Sequence, residues 1–282
     1  MSKLNFIAQK HNQNAPNMAK LDFIYQEVAK RMVDRLDYIK LQPQMILDIG
    51  SGLSIDSRLL KTRFPKAELV QLDIALEVLK LYRIKANPLK RLFGSTTFAT
   101  CANALDLPLQ SSIADIIWSN LCLPYIDNFE VYFKEIYRVL NVGGYFLVSG
   151  FGVDSLYELR EIGLRTFNFP DMHVIGDILV KLGFSHPVTD VEHITLEYDN
   201  FQDLIADIRI LGCGNAITGM GVFNKSQYLE LENKFKKFTQ NGKIKVMLEI
   251  YYAHAWKDKT QLNLEGDKKV LQFFPTLVKS KK

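Results

Sequence analysis

Apolar and polar residues follow two rhythms along the first half of this chain. Short, nearly continuous apolar runs at positions 46–49, 69–73, 96–101, 114–119 and 145–149 read as strands buried on both faces. Between them the apolar residues recur three and four apart, as helices require. Phe23, Ile24, Val28, Met32, Leu36 and Ile39 predict one amphipathic helix over 21–40. Further helices are expected up to about 63, where Pro65 stops the run, over 76–92, and over 129–140. The run 141–144, Asn-Val-Gly-Gly, reads as the break before the fifth strand. Residues 1–20, with Asn12, Asn14, Pro16 and Asn17, read as an irregular lead-in. Strands alternating with helices predict a parallel sheet covered on both faces, with ligands beyond the strands' carboxyl ends.

The second half changes rhythm. A helix is expected over 154–167 with Asp154 as its N-cap, and another over 173–182 capped by Asp171 and closed by Gly183. Positions 188–198 alternate as a sixth strand, 201–211 are helical, and 212–224 form a glycine-rich loop. A lysine-rich helix over 227–238 precedes a last strand at 245–252, and the chain after 257 is polar.

Strand-end residues are therefore the ones to test for chemistry. The first strand runs into Asp48-Ile49-Gly50-Ser51-Gly52, and two glycines let a ligand lie against the backbone without meeting a Cβ. Asp73 ends the second strand, one helix further on, where a carboxylate accepts both ribose hydroxyls of an adenosine. Asn103 and Ala104 follow the third strand, offering an adenine contact and room for the ring; an ordinary Asx turn explains Asn103 equally well. Asn120 ends the fourth strand as a ligand contact or a loop cap. A dinucleotide-binding turn would need glycine at Ile55, and the nucleophile elbow Gly-x-Ser-x-Gly is missing. The histidines are isolated, so no metal set is expected.

Bulk properties narrow the class further. The chain has 282 residues, 48% of them hydrophobic and 23% charged, enough to bury a large core. A net charge of +4 is too small to imply nucleic acid and suits an acidic protein partner. Cys101, Cys122 and Cys213 are scattered, and no apolar run is long enough to span a membrane, so a soluble cytoplasmic protein is expected.

The glycine turn resembles the first motif of methyltransferases that use S-adenosylmethionine (SAM), with Ser54 in place of the third glycine. More narrowly, Phe-Lys-Glu-Ile-Tyr-Arg-Val-Leu-Asn-Val-Gly-Gly at 133–144, Asp171-Met172-His173, Gly212-Cys213-Gly214-Asn215 and Tyr252-Ala253-His254-Ala255-Trp256 resemble the BioC family. These are the malonyl-acyl-carrier-protein O-methyltransferases of biotin synthesis. The resemblance implies an α/β fold: a seven-stranded, mostly parallel, Rossmann-like sheet with an antiparallel last strand. It also implies an N-terminal helical lid at 1–40, a catalytic domain over 41–257 with a helical cap at 199–243, and a tail at 258–282. It implies SAM as cofactor, held by Asp48, Gly50, Ser51, Gly52, Asp73, Asn103, Ala104 and Asn120, and malonyl-acyl-carrier protein as acceptor. Arg209 and His173 are candidate contacts for the acceptor carboxylate, and the lysines at 225, 234, 236 and 237 for an acidic carrier protein. His254 and Trp256 are expected to be structural. Three departures stand out: Ser54, Asn103 where aspartate is commoner, and Met18-Ala19 where the family has Tyr-Asp. A methyltransferase-fold assembly protein, related to the complex I assembly factor associated with arginine hydroxylation, and a quinone-type small-molecule methyltransferase remain open alternatives.

Overall fold

The computed structural model describes residues 3–84, 96–164, 169–210 and 224–258. The chain enters through helix α1 (Lys3–Asn14), a 3-10 stretch (Ala15–Leu21) and helix α2 (Asp22–Arg35). Strand β1 (Met45–Ile49), helix α3 (Ile55–Arg63), β2 (Glu68–Asp73), α4 (Leu76–Tyr82), β3 (Thr97–Cys101) and β4 (Ala114–Ser119) follow. Then come α5 (Phe129–Val139), β5 (Leu140–Phe151), α6 (Tyr157–Glu161), α7 (Met172–Lys181) and β6 (Ser185–Tyr198). Helices α8 (Phe201–Ile210) and α9 (Lys225–Phe235), the two-residue β7 (Thr239–Gln240) and β8 (Lys243–Trp256) complete it.

The sheet order is β3-β2-β1-β4-β5-β8-β6, with β7 pairing only β8. Strands β1 to β5 are parallel, and β8 runs antiparallel to both β5 and β6. The expected seven-stranded Rossmann-like sheet is thus present, with β7 as a small addition. Neighbouring residues on one strand feed opposite layers, as a pleat requires. Ile46, Ile116 and Leu147 face the layer that holds α2 and α3, while Leu47, Ile117 and Phe146 face the layer of α5 and α7. The chain reverses direction across the sheet between β1 and β4, and this switch point opens a crevice at the strands' carboxyl ends.

Helix α2 is fixed to the sheet by more than its apolar stripe of Ile24, Val28 and Met32, each at most 2% exposed. The Arg35 guanidinium lies 3.6 Å from the Tyr252 ring centroid and pairs with Asp190 at 2.7 Å and Glu192 at 3.0 Å. Arg31 adds a second bond to Glu192. Because this pair is half-shielded and stacked, Arg35→Met is expected to lower unfolding free energy by about 1–2 kcal/mol in urea melts.

Four local expectations need correction. Residues 3–20 are not irregular: α1 and the 3-10 stretch occupy them, with Ile7, Ala15 and Met18 buried; positions 1 and 2 lie outside the described residues. The amphipathic signal there is weak because few residues of α1 turn inward. The helix expected over 154–167 shrinks to α6, because Leu156 adopts φ 58 and drives its side chain into the core, while its amide bonds Met247; positions 165–168 lie outside the described residues. The expected break at 141–144 lies within β5, held by amide–carbonyl bonds between Gly143 or Gly144 and Lys257. The fourth helix ends at Tyr82, and the remainder of its predicted run from 85 lies outside the described residues.

A cleft at the carboxyl ends of the strands

The turn after β1 is shaped by two hydrogen bonds from its own amides. Gly50 N and Ser51 N both donate to Leu72 O, at 2.7 and 3.0 Å, binding the turn to the end of β2. Gly50 takes φ 74, and a Cβ there would come within 2.8 Å of Cys122 Sγ. The backbone therefore runs bare along the wall of a cleft at the carboxyl ends of the strands. Ser54, standing where a third glycine is usual, adopts φ 57 at no solvent exposure. Its Oγ accepts from Gln71 Nε2, and Gln71 Oε1 accepts from Ile84 N at 2.8 Å, so hydrogen bonds offset the left-handed strain.

Asp73 supplies the carboxyl group of the cleft wall. Its Oδ2 accepts from Gly52 N at 3.0 Å and its Oδ1 from Ala75 N at 2.8 Å, which fixes the carboxylate plane. Burial raises its pKa, and the two amides and nearby His11 oppose that rise. Gly50, Gly52, Asp73, Asn103, Ala104 and Asn120 all line the cleft. Asn103 Oδ1 accepts from Leu105 N at 3.0 Å, so the Asx turn exists as well as the wall position.

The other expected residues stand elsewhere. Asp48 is buried behind the turn, where its carboxyl accepts from Ser57 Oγ; burial and then Asp56 push its pKa well up. Ser51 also stands behind the wall, its Oγ buried without a hydrogen-bond partner. His173 is an exposed residue of the α7 cap, its Nδ1 2.7 Å from Asp171 Oδ1, and it is not part of the cleft wall. Arg209 belongs to α8, but its side chain, like Cys213 and Asn215, lies outside the described residues. Lys234 and Lys237 pair with Glu230 and Glu161. His254 and Trp256, on β8, pair with Leu147 and Tyr145 in the middle of β5, and neither lines the cleft.

The side chains that roof the cleft are not among the expected site residues, although a helical lid is expected over 1–40. Ile7, His11, Met18 and Tyr25 cover it from the N-terminal helices. Asn12 Oδ1 accepts from Glu77 N at 2.8 Å and Tyr82 OH donates to Ala15 O at 2.7 Å, which dock this segment on α4. The His11 ring meets Tyr125 edge-on at 4.7 Å, and burial lowers its pKa against the pull of Asp73. Of the roof residues, Ile7 and His11 stand four apart, a helical spacing, and Tyr25 falls within the helix expected over 21–40.

Asp56 lies one layer deeper. Burial raises its pKa to about 6, opposed by hydrogen bonds from Trp118 and Asn120. A carboxyl whose folded pKa exceeds its unfolded value stabilises the fold below the unfolded value, near 3.8, and loses that contribution as pH rises through about 6. The stability gap between the wild type and Asp56→Asn is therefore expected to widen, by about 1 kcal/mol, when denaturant melts are moved from about pH 7 to about pH 5.

The residues fit an adenosyl cofactor. A bare glycine turn, an oriented carboxylate on the adjoining strand and a small residue at Ala104 surround one cleft. Among the described residues no cluster of histidine, cysteine and acidic side chains could hold a metal, and no helix is long and apolar enough to cross a membrane.

Comparison with known proteins agrees with this geometry. Residues 47–148 match the family model described as a methyltransferase domain. The fold is shared with Haemonchus contortus phosphoethanolamine N-methyltransferase 2, solved with phosphomonomethylethanolamine and S-adenosylhomocysteine (TM-score 0.51, 18% identity, 82% of this chain and 53% of that one). It is also shared with the YcgJ protein of Bacillus subtilis (TM-score 0.55, 16% identity, 83% and 99%). Sequence relatives are closer. The malonyl-[acyl-carrier protein] O-methyltransferase of Gallionella capsiferriformans is 35% identical over 252 residues, covering 86% of this chain and 87% of its own. That of Laribacter hongkongensis is 34% identical over 265 residues, covering 89% of each. With identity of this order along nearly the whole chain, and a glycine-and-carboxylate cleft at the switch point of the sheet, the protein belongs to the malonyl-[acyl-carrier protein] O-methyltransferase family.

Proposed function

We propose that this enzyme transfers a methyl group from SAM to the free carboxylate of a malonyl group carried on acyl-carrier protein, the ester that primes biotin synthesis. The observation that carries this reading is the likeness, over 86–89% of the chain, to enzymes of that name. SAM supplies an electrophilic methyl group on a positively charged sulfur. Asp73, its carboxylate plane fixed by Gly52 N and Ala75 N, accepts the ribose hydroxyls, and Gly50 and Gly52 let the ligand lie along the backbone. Ser51 and Asp48 back the turn; Asn103 and Ala104 flank the adenine, and Asn120 lines the far wall.

A malonyl carboxylate has a pKa of about 4 and is ionised at neutral pH, so no general base is needed. The protein's task is to strip water from that carboxylate and hold it in line with the methyl group. Arg209 and His173 are the residues we assign to it, an arginine fork matching a carboxylate in two-point contact. The N-terminal segment 1–40 serves as the lid, residues 199–243 form the acceptor cap of the 41–257 domain, and the lysines of α9 and its extension face the acidic carrier. The tail expected over 258–282 lies, from 259 onward, outside the described residues. The free thiols of Cys101 and Cys122 suit a cytoplasmic setting.

The reading is tested by complementation. A biotin auxotroph lacking its own malonyl methyltransferase is expected to grow without biotin when it carries this gene, and not when it carries the Asp73→Ala form. Failure of the wild-type gene, with the protein present and soluble, would oppose it.

A further inference from the structure

Asp56 is not part of the cleft wall, yet it is the hub of a buried hydrogen-bond chain that reaches it. Its Oδ1 accepts from Trp118 Nε1 at 2.7 Å, which stops the carboxyl from turning. Its Oδ2 accepts from Asn120 Nδ2 at 3.1 Å. The same Asn120 amide donates to Tyr25 O of α2, also at 3.1 Å. On its other side, Asn120 Oδ1 accepts from Ser149 Oγ at 2.9 Å, and Ser149 Oγ accepts from Leu121 N at 3.0 Å. Leu121 itself sits in the left-handed region at φ 51, a conformation that needs such support.

We infer that Asp56 is a positioning residue for cofactor binding: through Asn120 it fixes both the Leu121 turn and the roof helix α2 over the cleft. The inference rests on the proposed use of SAM. An apolar side chain would fill the Asp56 site at lower desolvation cost. What the carboxylate alone supplies is two acceptor oxygens at set positions, one anchored on β4 and one on Asn120. Asn120, Tyr25 and Leu121 all line the cleft. One buried acid therefore ties the floor strand, the loop after it and the roof into a single arrangement. With both donor hydrogens and its carbonyl engaged inside the protein, the Asn120 side chain acts as a clamp, and it meets the ligand chiefly through its backbone.

The test is a double-mutant cycle on SAM affinity, read by titration calorimetry on the full chain, alongside KM, kcat and Tm. Asp56→Asn keeps the shape but replaces the acceptor facing Asn120 by a donor. It is expected to raise the Kd and KM for SAM about ten-fold, the loss of one charge-assisted bond, with kcat at saturating SAM within about three-fold of wild type. Asn120→Ser is expected to give a similar rise and faster amide exchange over residues 22–29. The double variant should match the single ones, because both break one chain. Additive effects, or a lowered Tm with unchanged Kd, would overturn the assignment and leave Asp56 a packing residue. If Asp56→Asn does not fold, Asn120→Ser decides alone, and unchanged affinity and exchange count against the inference. Wild-type protein that does not bind SAM would instead refute the proposed function.

Discussion

Asp73→Ala is expected to weaken SAM binding by about 100-fold or more, with little loss of fold. Two hydrogen bonds from ribose hydroxyls to a charged acceptor are each worth about 1.5–3 kcal/mol, so losing both costs at least about 3 kcal/mol. The side chain also orients the turn through Gly52 N and the start of α4 through Ala75 N. Asp73→Asn keeps one oxygen acceptor and should fall between wild type and alanine. Calorimetric titration with S-adenosylhomocysteine, which carries the same ribose, separates binding from turnover. Equal affinity of wild type and Asp73→Ala would remove Asp73 from the ribose site.

Gly50→Ala is expected to damage both stability and binding. At φ 74 an alanine pays about 1–2 kcal/mol for the left-handed conformation, and its Cβ would press on Cys122, 2.8 Å from Sγ and 2.9 Å from Cβ. Together with the overpacking cost, a loss of about 2–4 kcal/mol in unfolding free energy is expected in denaturant melts. SAM affinity should fall with it, since the turn cannot close on the ligand unchanged. The two causes separate in Gly50→Ala combined with Cys122→Ser, where the clash eases while the backbone strain remains. Partial recovery is the expected result, and no recovery would mean that strain alone sets the cost. Burial pushes the Cys122 thiol up to about 12, so its contribution here is its volume and not thiolate chemistry.

The elements that the sequence reveals well are those whose side chains meet one uniform environment. Strands such as Ile116-Ile117-Trp118 are buried on both faces, so an apolar run marks them directly. The glycine turn and Asp73 were legible for a related reason: a strand that ends in a bare turn, followed one helix later by a strand that ends in an acid, leaves few other arrangements. The lid at 1–40 was expected only from the family resemblance; helix α1 itself was illegible because it buries little of itself and its inward residues include His11, whose type does not mark a core. Leu156 and Ser54 show a different limit. Both take positive φ without being glycine, and what supports them, Met247 O for the one and Gln71 for the other, is far away in sequence. The clamp of Asp56 on Asn120 spans 64 residues and two elements, and no local pattern announces it. Ser54, a departure from the family's glycine, is accommodated by a hydrogen bond that a glycine lacks.

The most direct measurement is the intact mass of malonyl-acyl-carrier protein after incubation with the purified enzyme and SAM. The account predicts a gain of one methyl ester on the malonyl group, lost again on mild alkaline hydrolysis, with an equal amount of S-adenosylhomocysteine formed, and no such gain with Asp73→Ala. Unchanged malonyl-acyl-carrier protein in the presence of enzyme that binds SAM would contradict the proposed acceptor.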